Sequence, residues 1–158
     1  MSLFTMLVSD QPLKEVDLTG ITEITVRELK FLNPITENSP EKIWHTMDDD
    51  ALIIQAPDES AFNKLVISAT ETPPFDLRFY SKKEHVYFIG GNWRGEFLTD
   101  LSNYIKENIR AEHNVELLVF WADDEAHSLK QYTFKINEVQ PSQLETIEQK
   151  RYSRAYFV

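Results

Sequence analysis

The 158-residue chain has no cysteine, only four glycines and no long apolar run. Without cysteine it cannot build a disulfide scaffold, a thiolate zinc site or a cysteine nucleophile. Its longest strongly apolar run covers residues 117–122, far below the roughly 18 residues that suggest a membrane span. Residues 1–9 lack the positive region and the small-residue cleavage pattern of a signal peptide. From these absences we expect a cytoplasmic protein with no membrane partner.

Positive charge is also scarce, since 16 Lys and Arg residues stand against 26 Asp and Glu residues, a formal net charge of −10. A nucleic-acid binder would show the opposite sign or a basic stripe, so we expect no nucleic-acid partner. The acidic excess is concentrated in residues 1–75, which hold 13 acids and 5 bases, whereas residues 76–158 hold 13 acids and 11 bases. The small basic patch at residues 150–154 is typical of the solvated face of a last strand.

Apolar runs and alternating apolar residues predict most of the regular structure as strands. The predicted strands are residues 3–8, 21–26, 51–56, 62–70, 77–80, 85–89, 115–121, 132–136 and 152–158. Turn residues predict two hairpins, one joining 51–56 to 62–70 and one joining 77–80 to 85–89. Residues 33–48, which include two prolines, are predicted to form a polar loop.

Two segments have helical spacing instead. Apolar side chains recur at every third or fourth position from Phe97 onward, which predicts an amphipathic helix over about 96–112. Pro141, followed by Leu144 and Ile147, predicts a short helix near 141–149 with proline in its first turn.

These elements predict an α+β fold in a single domain over residues 1–158. We expect a strand-rich, mixed and mostly antiparallel sheet, with the main helix packed on it. Strands 85–89 and 115–121 are expected to form a parallel pair, because the main helix joins them as a crossover connection.

Three of the four glycines fall in one segment, Gly90-Gly91-Asn92-Trp93-Arg94-Gly95, between a predicted strand and the main predicted helix. Backbone N–H groups at such a place can face an anion. Glu96 and Phe97, however, stand where a P-loop needs Lys and Ser or Thr. Two interpretations stay open: a tight turn with Trp93 packed beneath it, which we favour, and a ligand-binding loop in which Trp93 stacks on the ligand and Arg94 pairs with its charge.

Two acidic clusters, Asp48-Asp49-Asp50 and Asp123-Asp124-Glu125, each lie near a histidine, His45 and His127 respectively. Carboxylates and imidazole bind divalent metals, but neither cluster has a recognised ligand spacing, so we predict solvated turns and assign no metal. Clusters of this kind can also meet a basic partner and raise the association rate. Together with Trp44, a large ring in a predicted loop, they are candidate interface residues.

No nucleophile motif is present, so we assign no catalytic residue and no cofactor. We expect a small acidic, non-catalytic protein-binding or regulatory protein, similar in composition to inhibitor or immunity proteins, whose partner is another protein and a basic one. The alternative is a small-molecule or phosphate-ligand-binding protein, or an enzyme, that uses Gly90–Gly95. A homodimer through the last predicted strand, residues 152–158, is a third arrangement that the sequence allows.

Overall fold

Seven strands pair into one sheet that has the N-terminal strand at its centre. The computed structural model describes residues 2–122 and 126–158. Its strands are β1 Leu3–Ser9, β2 Val16–Asp17, β3 Thr22–Thr25, β4 Leu52–Gln55, β5 Val66–Ala69, β6 His85–Gly90, β7 Glu116–Trp121, β8 Lys130–Phe134 and β9 Ser153–Phe157. The large sheet has the order β2-β5-β6-β1-β7-β9-β8, and β3 and β4 form a separate two-stranded sheet. All neighbours are antiparallel except β8 and β9, so the predicted mixed, mostly antiparallel sheet is confirmed.

Three α-helices occur in the described residues: α1 Val26–Leu32, α2 Glu96–Asn108 and α3 Pro141–Gln149. In α2, apolar side chains three and four positions apart share one face and are buried, which is the spacing that predicted this helix. α3 begins at a proline, whose missing N–H costs nothing in a first helical turn. Both predicted helices are therefore confirmed, although α2 ends at Asn108 rather than near residue 112.

The large sheet is buried on both faces at its centre. On β1, Leu7 packs into the cluster that α2 and α3 cover, while Met6 and Val8 pack into a second cluster on the opposite face. Leu117 and Leu118 of β7 divide in the same way. Burial on both faces explains why the sequence of β7 is almost continuously apolar rather than alternating.

Two compact units account for the chain. The described residues up to Leu18, together with those from Phe62 onward, contain the whole seven-stranded sheet, and we call them the sheet unit. Thr19–Ala61 contains β3, α1 and β4, and we call it the inserted unit. The expectation of a single domain over residues 1–158 stays a prediction.

Both predicted hairpins are wrong. β5 already has β2 on one edge and β6 on the other, so β4 pairs with β3 instead. Residues 75–79 form a 3-10 helix rather than a strand. Leu77 in this helix and Tyr80 directly after it are three positions apart and both buried, and this spacing fits a helical turn better than a strand.

Two further expectations about strand neighbours need correction. β6 and β7 do run in the same direction, but β1 lies between them and pairs with both in antiparallel fashion. β9 is not an edge strand, because β7 pairs with one of its edges and β8 with the other. β9 therefore has no free edge through which a homodimer could form. The homodimer itself stays a prediction.

Candidate functional site

The glycine-rich segment that joins β6 to α2 is a tight turn over the core. Gly91 has a φ of +124° and Gly95 a φ of +54°, conformations that side chains rarely adopt. A Cβ added at Gly91 would lie 2.5 Å from a ring carbon of Phe97 and 2.6 Å from the Lys64 carbonyl oxygen. Glycine is therefore required at position 91 by both the backbone conformation and the lack of space.

Trp93, in the same turn, is a core residue. Its side chain is 9% exposed and belongs to the main core cluster, where its ring lies 5.3 Å from that of Phe97. The neighbouring backbone N–H of Asn92 donates to the Asn63 carbonyl at 3.0 Å. Arg94 is exposed to solvent. This geometry supports the tight-turn interpretation, because the ring that a ligand would need for stacking already packs against Phe97. The ligand-binding interpretation of Gly90–Gly95 stays an untested prediction.

The Asp48-Asp49-Asp50 cluster holds α1 in place. Asp49 accepts a hydrogen bond from the Lys30 ammonium at 2.7 Å, and Asp50 accepts one from the Arg27 guanidinium at 2.9 Å. The hydrogen bond from Lys30, together with its charge, lowers the pKa of the Asp49 carboxyl below its usual value. Asp48 accepts from the backbone N–H of Asp50 at 2.8 Å, which closes the turn. Two of the three carboxylates therefore have intramolecular cation partners.

The other candidate interface residues fall into two groups. Trp44 is half-buried in a 3-10 helix, Ile43–Thr46, and its ring lies edge-on at 4.3 Å from that of His45. Asp123, Asp124 and Glu125 lie outside the described residues. Their predicted interface role stays a prediction, as does that of Trp44.

The inserted unit displays most of the exposed large apolar side chains. Twelve such side chains occur in the described chain, and seven of them fall in the 43 residues of this unit: Phe31, Leu32, Ile35, Ile43, Met47, Leu52 and Ile54. Phe31 is 84% exposed and Ile43 is 87% exposed. Single exposed apolar residues are normal on a protein surface, whereas a contiguous exposed apolar patch is typical of an interaction site.

A groove of about 490 Å³ runs along α1 within the inserted unit. It is lined by Ile24, Arg27, Glu28, Phe31 and Leu32. Its two charged residues already have partners, since Arg27 pairs with Asp50 and Glu28 accepts from the backbone N–H of Thr25 at 2.9 Å. The groove therefore offers mainly apolar contact surface to a ligand.

Sequence reasoning missed α1, and with it the groove. The segment Val26–Leu32 is only two turns long and follows a strand directly, so Val26 was assigned to the predicted strand 21–26 and residues 27–32 were assigned to no element. A usable signal was present: Thr25 and Glu28 form a capping box, in which each side chain bonds the backbone N–H of the other. The box marks the first turn of a helix at this position.

A partly buried ionic network on the sheet unit was not predicted from the sequence. Lys83 is 9% exposed at its side chain, and its ammonium donates to the Asn114 carbonyl at 2.6 Å and to Asp10 at 3.2 Å. It also lies 3.6 Å from Glu116, whose other carboxylate oxygen is 3.4 Å from the Arg154 guanidinium. The network links the end of β1 to the start of β7 and to β9.

Within residues 2–122 and 126–158, no group of three or more His, Asp or Glu side chains is placed to hold a metal ion. In the same part of the chain, no helix combines the length and the apolar character required to cross a membrane.

Comparisons with protein-family models, with curated proteins and with solved structures find no match to this chain.

Proposed function

We propose that this protein is a non-catalytic binding protein whose inserted unit recognises a basic protein partner. The observation that carries the proposal is the concentration of seven large exposed apolar side chains in residues 19–61. Apolar patches with charged surroundings are typical of protein–protein interaction sites. Phe31 is the strongest single candidate for an anchor, because a large aromatic ring gains most when a partner removes it from water.

The charge of the inserted unit supports a basic partner. Its 43 residues contain nine acids and three bases, so they carry −6 of the net charge of −10. Two of the three bases, Arg27 and Lys30, already pair with Asp50 and Asp49. The remaining acidic excess would attract positive charge and raise the association rate of a basic protein.

We further propose a cytoplasmic location, which the absence of cysteine supports because the cytosol is reducing.

The test compares partner capture by three forms of the full-length chain, each immobilised and exposed to lysate of the source organism. The wild-type protein should retain a stoichiometric partner, and the double variant Phe31→Ser/Ile43→Ser should retain about tenfold less or lower, as expected when hot-spot residues are removed. Rising salt should weaken capture, since the charge attraction is screened. Circular dichroism of each form should be unchanged, because both substituted side chains are exposed.

Phe62→Ser provides the matched control. Phe62 is a 62% exposed phenylalanine in the sheet unit, so its substitution should leave capture unchanged. Failure to retain any stoichiometric partner, or equal retention by the double variant and the wild type, would count against the proposal.

A further inference from the structure

We propose that the groove along α1 binds the apolar face of an amphipathic α-helix that carries basic residues at its borders. This inference rests on the proposed function and names the kind of partner segment that the inserted unit recognises. Four observations support it: the rows of side chains on α1, the hydrogen bonds of the charged lining residues, the open shape of the groove and the net negative charge of the inserted unit.

The side chains that line the groove form two parallel rows on α1. Arg27 and Phe31 are four residues apart, as are Glu28 and Leu32, so each pair lies along one ridge of the helix. The space between such ridges accepts a ridge of a second helix, which then crosses at roughly 50°. A helix of seven residues is only about 10 Å long, so the contact would involve about two turns of the partner helix.

The lining of the groove favours an apolar contact face on the partner. Arg27 donates to Asp50 and the Glu28 carboxylate accepts from both the backbone N–H and the hydroxyl of Thr25, so these groups already have hydrogen-bond partners. Ile24, Phe31 and Leu32 supply the rest of the lining. An amphipathic helix presents apolar residues at i, i+3, i+4 and i+7, which matches a short apolar groove of this kind.

The openness of the groove favours a macromolecule over a small ligand. Small-molecule sites enclose about 70–90% of the ligand surface, whereas Phe31 at this groove is 84% exposed and encloses nothing. An exposed ring of this kind can be covered by a partner protein, which brings its own apolar surface.

The acidic charge of the inserted unit favours basic residues beside the apolar face of the partner helix. After the pairs Arg27–Asp50 and Lys30–Asp49, the inserted unit retains seven further acids against one further base, Lys42. Lysine or arginine at the borders of the partner helix would be attracted to these acids, while acidic residues would be repelled. The same excess argues against an anionic lipid surface, which amphipathic segments bind when they are basic.

The experiment measures binding of fluorescent peptides to the full-length chain by anisotropy. The probe is a leucine–lysine peptide of about 18 residues, long enough to form a helix, with leucine at every third and fourth position. We expect the wild type and Phe62→Ser to bind it with similar affinity. Phe31→Ser/Leu32→Ser should bind about tenfold more weakly or worse, because each ridge loses its apolar side chain.

Two comparison peptides test the shape and the charge of the occupant. A peptide of the same composition with leucine and lysine alternating favours a strand, and a third peptide replaces every lysine with glutamate. Both should bind the wild-type protein at least about tenfold more weakly than the probe. Equal binding of the probe to wild type and Phe31→Ser/Leu32→Ser would overturn the inference, and so would preference for the alternating or the acidic peptide.

The two proposals fail in different ways. If the double variant Phe31→Ser/Ile43→Ser loses partner capture while the helical probe does not bind, the inserted unit recognises a protein in another manner, and only the helix inference is overturned. If the double variant captures the partner as well as the wild type does, the proposed function is overturned along with it.

Discussion

Leu18 donates its backbone N–H to the carbonyl oxygen of Leu65 at 2.9 Å, and this hydrogen bond closes the two ends of the inserted unit. It extends the antiparallel pairing of β2 with β5, in which Val16 lies opposite Ile67. The chain therefore leaves the sheet at one strand and returns on the adjacent strand. Residues 19–61 occupy the place that a short hairpin turn fills in other antiparallel pairs.

Replacing residues 19–61 with a short Asn-Gly turn should leave the sheet unit folded. Leu18 already bonds Leu65, three residues past the second excised end, so Asn-Gly and residues 62–64 would form a five-residue loop, a length that occurs in hairpins. We expect a cooperative thermal unfolding transition and far-ultraviolet circular dichroism of a strand-rich protein. Partner capture should be lost, because the exposed apolar surface of residues 19–61 has been removed. An excised protein that is unfolded, or one that still captures the partner, would contradict this prediction.

Trp93→Ala and Arg94→Ala separate the two interpretations of the glycine-rich segment. Trp93 is buried against Phe97, so its truncation should lower the free energy of unfolding by about 3–5 kcal/mol. Arg94 is exposed, so Arg94→Ala should change it by less than about 0.5 kcal/mol. Urea unfolding followed by circular dichroism measures both values. Similar small effects for the two variants would show that Trp93 is not the core residue described above.

Lys83→Met should destabilise the sheet unit, whereas the adjacent exposed substitution Lys82→Met should not. The Lys83 ammonium contacts Asp10, Glu116 and the Asn114 carbonyl, and its side chain is 9% exposed. We expect a loss of about 2–3 kcal/mol, below the roughly 3–5 kcal/mol of a fully orphaned buried charge, because Arg154 still faces Glu116. Denaturant unfolding of the two variants gives the comparison. Equal stability of both variants would mean that the network contributes nothing.

The Asp49 carboxyl should titrate below its ordinary pKa of 3.8, because Lys30 donates a hydrogen bond to its ionised form. A pKa lowered by folding stabilises the protein above the pKa of the unfolded chain, and this contribution is lost as the pH falls through the folded-state pKa. Lys30→Met should raise the pKa of Asp49 toward its ordinary value, while Lys42→Met should leave it unchanged. Carbon-detected NMR titration of the side-chain carboxyl measures each value. An Asp49 pKa that does not respond to Lys30→Met would exclude the ion pair in solution.

Local sequence patterns predicted the elements with long or strict periodicity. The spacing of Phe97, Leu98 and Leu101 was sufficient for α2, because a helix of this length must bury one continuous face. The apolar run of β7 was sufficient to identify a strand buried on both faces. Short elements were not predicted, because they contain too few periods of the pattern to be distinguished from their neighbours. α1 has only seven residues and β2 only two.

The candidate site depended on information that no local pattern contains. Trp93 could be named from the sequence, but whether it packs on Phe97 or lines a ligand site depends on how β6 meets α2. The acidic turn at 48–50 was visible as charge, while its pairing with Arg27 and Lys30 required the position of a helix that was not predicted. Phe31 was not selected, because exposure of an apolar side chain is a property of the folded surface.

The sequence by itself determined the absence of cysteine chemistry, the acidic balance, the α+β class and the two larger helices, because composition and local periodicity follow directly from the order of residues. The tertiary structure decided the strand order, the closure of residues 19–61 between Leu18 and Leu65, and the set of apolar side chains left in water. These depend on pairing between residues far apart in the chain, where many alternative partners satisfy the same local pattern. Only packing of the whole sheet selects among them.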